Sequence, residues 1–383
     1  MDSVAIVAGE VSGDILGGHL LSALRPMLPD ARIHGIGGPN MQEHGFISHW
    51  PMEKLSVNGF FEVFAHFREI KGIRDSLHRQ LLADRPSVYV GIDAPEFNLG
   101  LEKKLKKAGI PTVHFVSPSL WAWRRGRIKT IHRSVRRILV LFPFEVEIYE
   151  NAGIPVTYVG HPVAKTIPLR PDPVRARTDL GLALDRPVVA IMPGSRMSEL
   201  KYNGPAFAGA ARLLSERDPL IQFVAPMAGA RQAEYFTQLL SDAKMEDARL
   251  QIVDNQSHLA IEAADAVLVA SGTATLEVAL FKKPMVIGYR LMRATWEIAR
   301  RLVTPPIGLP NILAREMIVP EYYQNEATPS ALADAVYRQL NDLSLQNELK
   351  ERFSLMHESL LQDTASLSAQ AVWDVINAGN LKT

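Results

Sequence analysis

At 383 residues the chain is long enough for two or three domains, each with a core of its own. A hydrophobic share of 47% and a charged share of 22% exclude a disordered chain. Lys+Arg 42 against Asp+Glu 41 leaves +1, too little bulk charge to argue for a nucleic-acid partner, and the lack of cysteine excludes disulfides, thiolate metal sites and a thiol nucleophile.

Met1-Asp2-Ser3-Val4 lacks the basic start of a signal peptide. No apolar run approaches the roughly 18–20 residues that span a bilayer. A cytoplasmic protein is expected, with any membrane attachment peripheral.

Short β-rich apolar runs alternate with helical patterns, which predicts parallel α/β layers. Strands are expected at 4–8, 32–36, 87–92, 111–116, 137–142 and 157–159, then at 187–192, 221–225, 250–253, 266–270 and 284–288. Helices are expected between most of them, as at 14–24, 95–108, 144–152 and 204–215. Pro162, Pro168, Pro171, Pro173 and Pro187 each fix φ and remove a donor, which predicts an extended connection. The fold class is therefore α/β: two Rossmann-like doubly wound domains at 1–162 and 187–327, a hinge at 163–186, and a helical C-terminal tail at 328–383. Ligands of such sheets lie beyond the strand carboxyl ends, so the two domains are expected to face each other across a cleft.

In chain order, the first strand-end loop is Gly9-Glu10-Val11-Ser12-Gly13-Asp14. Its N–H groups and Ser12 can line a ligand site; alternatively Ser12 or Asp14 caps the helix and Gly13 relieves a tight turn. Gly35-Ile36-Gly37-Gly38 lacks the third glycine of a dinucleotide fingerprint, because position 40 is Asn. Phe60, Val63, Phe64, Phe67, Ile70 and Arg74 fall on helical spacing, with Phe61 pointing about 100° away from Phe60. The segment reads as a thick buried helix or as an interfacial one, with Arg68 and Lys71 at headgroups.

Asp93 ends the next strand, and Pro95 suits a first helical turn. A carboxylate there is an N-cap, a general base, or both. Arg124 to Arg137 holds six arginines, among them Arg125 and Arg127, and one lysine without an acid, just after Trp121-Ala122-Trp123. With the amphipathic segment 290–303, this basic run favours an anionic membrane surface over nucleic acid.

In the second half Pro193-Gly194-Ser195-Arg196 follows one strand and Ser271-Gly272-Thr273 another. The helix after Ser271-Gly272-Thr273 offers free N–H groups and partial positive charge to a diphosphate. Glu277, one turn in, can take both hydroxyls of a ribose, and Arg196 can hold a phosphate. Asn311, in Leu309-Pro310-Asn311, orients a sugar or makes an Asx-turn. There is no G-x-x-x-x-G-K-[ST], which removes the usual ATPase and GTPase reading. There is also no Asp-x-Asp, so neither a bridging metal nor a cofactor is expected.

Six motifs in this order resemble the lipid-A-disaccharide synthase family: Val7-Ala8-Gly9-Glu10-x-Ser12-Gly13-Asp14, Gly91-Ile92-Asp93-Ala94-Pro95, Val116-Ser117-Pro118-Ser119-x-Trp121-Ala122-Trp123-Arg124, Pro193-Gly194-Ser195-Arg196, Ala270-Ser271-Gly272-Thr273-Ala274 and Leu309-Pro310-Asn311. The resemblance implies an inverting glycosyltransferase of the two-Rossmann-domain (GT-B) type. It would join UDP-2,3-diacylglucosamine to 2,3-diacylglucosamine 1-phosphate (lipid X) through a β-1,6 linkage, releasing UDP at the cytoplasmic face of the inner membrane of Gram-negative bacteria. It implies Asp93 as base and Arg196, Glu277 and Asn311 on the donor. It also implies a homodimer that exchanges C-terminal segments. Two other readings share the layout, a UDP-sugar 2-epimerase and a non-catalytic nucleotide-sugar-binding protein. Release of UDP that depends on the acceptor separates the transferase from both.

Overall fold

A computed structural model describes residues 3–55, 60–118, 125–245, 249–302 and 305–380. The chain divides into two compact units, Met1–Pro162 with Leu360–Thr383, and Val163–Ser359.

The first unit is built on seven parallel strands: β1 (Ser3–Ala8), β2 (Arg32–Ile36), β3 (Ile47–Trp50), β4 (Val88–Ile92), β5 (Thr112–Phe115), β6 (Arg137–Val140) and β7 (Val156–Tyr158), in the order β3-β2-β1-β4-β5-β6-β7. β1 and β4 pair with Val4 opposite Val88 and Ala8 opposite Ile92, and β4 is buried along its whole length. Strands covered on both faces read as continuous apolar runs, which is why their positions are visible in the sequence. Tyr89, Leu77, Leu81, Leu101 and Leu105 form the core on one face, against the helix Pro95–Lys107. On the other face the helix Val11–Met27 buries Leu20, Leu21 and Leu24, and the last helix, Thr364–Asn380, packs against it.

The second unit repeats the plan with β8 (Val188–Met192), β9 (Gln222–Met227), β10 (Leu250–Asp254), β11 (Ala266–Ala270), β12 (Met285–Tyr289) and β13 (Glu321–Tyr323), in the order β10-β9-β8-β11-β12-β13. Phe207, Phe223 and Phe236 anchor its core. In each sheet the order of connection reverses once, between β1 and β4 and between β8 and β11. Such switch points are where doubly wound sheets open a crevice for ligands.

Three features differ from the sequence expectation. The edge strands β3 and β13, Ile-Ser-His-Trp and Glu-Tyr-Tyr, carry no apolar run and are absent from it. Residues 163–186 are not an extended connection but contain the helices Val163–Thr166 and Pro173–Leu180, within the second unit. Pro173 opens the latter, where its fixed φ suits the first turn and its missing N–H costs nothing. The Asp172 side chain caps that helix by accepting from the Arg175 N–H at 3.0 Å. Finally, residues 328–383 are not one tail: the helix Pro329–Asn341 belongs to the second unit and the helix Thr364–Asn380 to the first. No helix among the described residues is long and apolar enough to cross a membrane.

Candidate active site

At the switch point of the second sheet, an open pocket of about 480 Å³ is lined by Gly194, Ser195 and Arg196 after β8 and by Ser271, Gly272, Thr273 and Glu277 after β11, among others. Gly194 sits at φ +122°, and a Cβ on it would lie 2.5 Å from the Glu199 Cβ. Only glycine fits there. The Glu199 carboxylate accepts from the backbone N–H groups of Ser195 at 3.1 Å and Arg196 at 3.3 Å. The buried Asn203 donates to the Pro193 carbonyl at 3.0 Å and accepts from the Arg290 N–H at 2.7 Å. The loop is thus fixed from below, while Ser195 and Arg196 remain exposed.

The turn after β11 is steered by Thr275, whose buried hydroxyl donates to the Gly272 carbonyl at 2.8 Å. At the start of the helix Ala274–Leu280 the N–H groups of Thr275 and Leu276 donate to the Gly272 and Thr273 carbonyls at 3.2 and 3.0 Å, which closes the turn beneath residues 271–274. Glu277 is half-buried in this helix, and His258 Nε2 lies 3.6 Å from its carboxylate. Hydrogen bonding to Glu277 raises the His258 imidazole above its ordinary pKa. His258 was missed from the sequence, although its place just beyond the end of β10 marks a third strand-end loop.

The switch point of the first sheet has another chemistry. Asp93 and Ala94, at φ 49° and 42°, are consecutive left-handed residues that join β4 to its helix. Side chains with a Cβ hold such backbone at a cost of about 1–3 kcal/mol each, unless surrounding contacts enforce it. Here they do. The Asp93 N–H donates to the Phe115 carbonyl at 2.8 Å and Asn98 Nδ2 donates to the Asp93 carbonyl at 2.8 Å. The buried Tyr89 hydroxyl in turn donates to Asn98 Oδ1 at 2.8 Å. The turn is packed against the first loop, since a Cβ on Gly9 would lie 3.0 Å from that of Ala94. Burial pushes the Asp93 carboxyl above the ordinary aspartate range, while the charge of His114 and the Ala94 N–H hold it down. A half-buried carboxylate at a strand end with its pKa raised by burial has the chemistry that a general base requires.

Two of the expected ligand residues are hydrogen-bonded within the framework. Asp14 is buried, and its carboxylate accepts from the N–H groups of Gly38, Asn40 and Met41 and from Asn40 Nδ2, between 2.7 and 3.2 Å. Its oxygens cap the short helix Pro39–Gln42. Asn311 is fully buried: Nδ2 donates to Glu321 Oε1 at 2.6 Å and to the Val319 carbonyl at 2.9 Å, and Oδ1 accepts from the Ile318 and Val319 N–H groups. Glu321 also accepts from the N–H groups of Ile307 and Gly308, both at 2.9 Å, so Asn311 and Glu321 together fold the loop that leads into β13. Ser12 is exposed beside the buried Gly13.

Phe60, Phe61, Phe64 and Phe67 lie on the helix Phe60–Asp84, but their side chains fall outside the described residues, as do Arg124 and the side chain of Arg125. Arg127 pairs with Glu96.

Residues 4–375 match the lipid-A-disaccharide synthetase family. A lipid-A-disaccharide synthase of Azoarcus sp. (strain BH72) is 50% identical over 370 residues, covering 96% of this chain and 95% of its own. The chain belongs to this family. It is a glycosyltransferase. Solved structures share the fold at low identity: the calicheamicin glycosyltransferase CalG4 superposes with a TM-score of 0.61 at 14% identity over 99% of both chains. A UDP-GlcNAc 2-epimerase from Neisseria meningitidis gives 0.59 at 11% identity, over 99% of this chain and 100% of that one. At these identities the likeness is one of fold. Family membership therefore favours the transferase over the epimerase.

Proposed function

We propose that the chain condenses UDP-2,3-diacylglucosamine with 2,3-diacylglucosamine 1-phosphate, forming the β-1,6-linked disaccharide 1-phosphate and UDP. The second unit holds the donor. Its diphosphate lies against the N–H groups of residues 271–274 and the loop 194–196, with Arg196 closing on a phosphate and Glu277 accepting the ribose hydroxyls. Arg196 suits this role because its side chain is 71% exposed, with only a 3.9 Å approach to Glu199. The first unit supplies the base. Asp93 takes the proton of the acceptor 6-hydroxyl as that oxygen attacks the anomeric carbon, the C–O bond to UDP breaks on the opposite face, and the configuration inverts.

A positioned base contributes about 10²–10⁴-fold. The larger share of the acceleration falls to orientation and to stabilisation of charge on the departing diphosphate. The observation that carries this reading is the glycine-built pocket at the switch point of the second sheet, lined by Gly194, Arg196, Gly272 and Glu277.

The aromatic start of the helix Phe60–Asp84 and the arginine run 124–137 suit attachment to an anionic bilayer at the cytoplasmic face, where both lipid substrates reside. A homodimer is part of the same reading. Incubating the protein with UDP-diacylglucosamine, with and without lipid X, tests the activity. UDP released only with lipid X supports it; release without lipid X, or an epimerised nucleotide sugar, overturns it. Vesicle flotation after replacing Phe60, Phe64 and Phe67 with serine tests the surface, and unchanged flotation removes that assignment.

A further inference from the structure

The second sheet carries another cavity, of about 400 Å³, that the mechanism above leaves without a task. Its size falls in the range of small-molecule sites. Tyr289 at the end of β12 and Tyr323 at the end of β13 line it, together with Leu291, Trp296 and Ile307. Trp296, on the helix Arg293–Leu302, stacks on Tyr323 with ring centroids 6.1 Å apart and planes 24° apart. Gln324 clamps the two strand ends together. Its Nε2 donates to the Leu291 carbonyl at 3.1 Å, its Oε1 accepts from the Leu291 N–H at 3.3 Å, and its own carbonyl accepts from Arg290 Nε at 2.9 Å. The wall is therefore fixed by the protein's own hydrogen bonds. Two charged side chains also border the cavity, Arg300 and Glu326. Arg300 is held by Glu297 at 2.6 Å, and Glu326 is itself acidic, so the lining suits an apolar group rather than a second phosphate.

This cavity adjoins the donor pocket. Ala270 pairs with Gly288 across β11 and β12, and Tyr289 pairs with Tyr323 across β12 and β13. Ser271 of the donor pocket thus stands beside Tyr289 at about one strand spacing, ~4.8 Å. The Asn203 side chain also bridges the two, from the Pro193 carbonyl at 3.0 Å to the Arg290 N–H at 2.7 Å. The donor pocket extends the other way as well, to Ala228 after β9 and Asn255 after β10. In the sheet order these loops lie on the far side of β8 from β11, β12 and β13. His258, the neighbour of Glu277, follows β10 too. A nucleoside with its ribose on Glu277 occupies that side, and the acylated sugar leaves the diphosphate toward β12 and β13.

We propose that the cavity at the ends of β12 and β13 receives an acyl chain of the donor, laid along Leu291, Ile307 and the Trp296–Tyr323 pair. The inference rests on the donor assignment made under Proposed function. It gives the donor a hold that UDP alone lacks, about fourfold in affinity for each methylene buried.

The test is calorimetric displacement of UDP by UDP-glucosamine carrying one linear acyl chain, shortened one methylene at a time, without acceptor. In the wild-type protein affinity is expected to fall about fourfold per methylene removed. Leu291→Trp, which fills the cavity, is expected to flatten that dependence. Trp296→Ala removes one wall on a half-buried helix position, and is expected to weaken the longest-chain donor about tenfold while the shortest-chain donor changes little. Affinity blind to chain length in the wild type overturns the proposal, as does an undiminished slope in Leu291→Trp. A slope found only when the chains of lipid X are shortened overturns it too, since the cavity would then serve the acceptor. Should Leu291→Trp not fold, Trp296→Ala decides, and wild-type affinity for the longest chain in that variant overturns the proposal. UDP release that depends on lipid X, with donor affinity blind to chain length, removes only the present inference. Absence of such release removes the reading beneath it.

Discussion

The turn that ends β4 is made by Asp93 and Ala94, held in left-handed backbone by Asn98, Tyr89 and Phe115, whereas the turn that ends β8 is made by Gly194, held by Glu199 and Asn203. Both lie at the switch point of a doubly wound parallel sheet. In the first the backbone is forced so that a carboxylate can be half-buried at the strand end. In the second the side chain is dispensed with, so that the chain can turn tightly over Glu199 and leave an exposed arginine at the strand end. One topology thus provides two unlike surfaces, and local backbone conformation selects between them.

Removing the carboxylate bears hardest on this contrast. Asp93→Asn is expected to lower kcat by about 10²–10⁴-fold with UDP affinity unchanged, by turnover assay and calorimetric titration. Burial has raised this carboxyl, so ionising it destabilises the fold; that cost is absent below the ordinary aspartate range and complete above the raised pKa. Asp93→Asn is therefore also expected to melt higher than wild type at neutral pH, and a lower Tm there would contradict the burial argument.

On the other sheet, Gly194→Ala forces a Cβ against Glu199 and strains the backbone by about 1–3 kcal/mol, which predicts a ten- to hundredfold weaker UDP complex. Wild-type UDP affinity in this variant would remove the β8 loop from the donor site. Glu277→Gln is expected to weaken UDP about tenfold, the scale of one hydrogen bond to a charged group, and to weaken 2′,3′-dideoxy-UDP no further.

Asn311→Ala should divide framework from ligand. It strands the Ile318 and Val319 N–H groups and part of Glu321, so denaturant melts should show a loss of about 1–3 kcal/mol, with UDP affinity of the folded protein little changed. The smallest expected effect is that of His258→Gln. The pKa of His258 is raised by Glu277, so the stability this pair contributes is present below the ordinary histidine pKa and is lost as pH rises through the raised one. The Tm difference between wild type and variant should shrink accordingly as pH rises, and a difference independent of pH would exclude the pair as its source.

The eleven strands expected from the sequence all form, and the inner ones are legible because strands covered on both faces are nearly continuous in apolar residues. Gly194, Arg196, Gly272 and Glu277 were legible for a related reason: a glycine or a charge just beyond such a run stands at a sheet's carboxyl end in any doubly wound fold. Asp14 and Asn311 carried the same signal, and in the fold their polar atoms are hydrogen-bonded to nearby N–H groups. Whether a polar side chain at a strand end is spent on nearby N–H groups or left for a ligand depends on where residues 38–41 and 318–321 pass, and those lie far off in sequence or around a turn.

The chain by itself determined the alternation of strands and helices, the two parallel sheets and the small-residue turns at their ends, since each follows from local periodicity and the steric demands of single residues. Tertiary structure alone decided that Pro173 begins a helix, that the last helix joins the first unit, and that Glu102 meets His114 in the space Gly91 leaves. Hydrogen bonds and burial between distant segments depend on packing in three dimensions, and no window of sequence contains both partners.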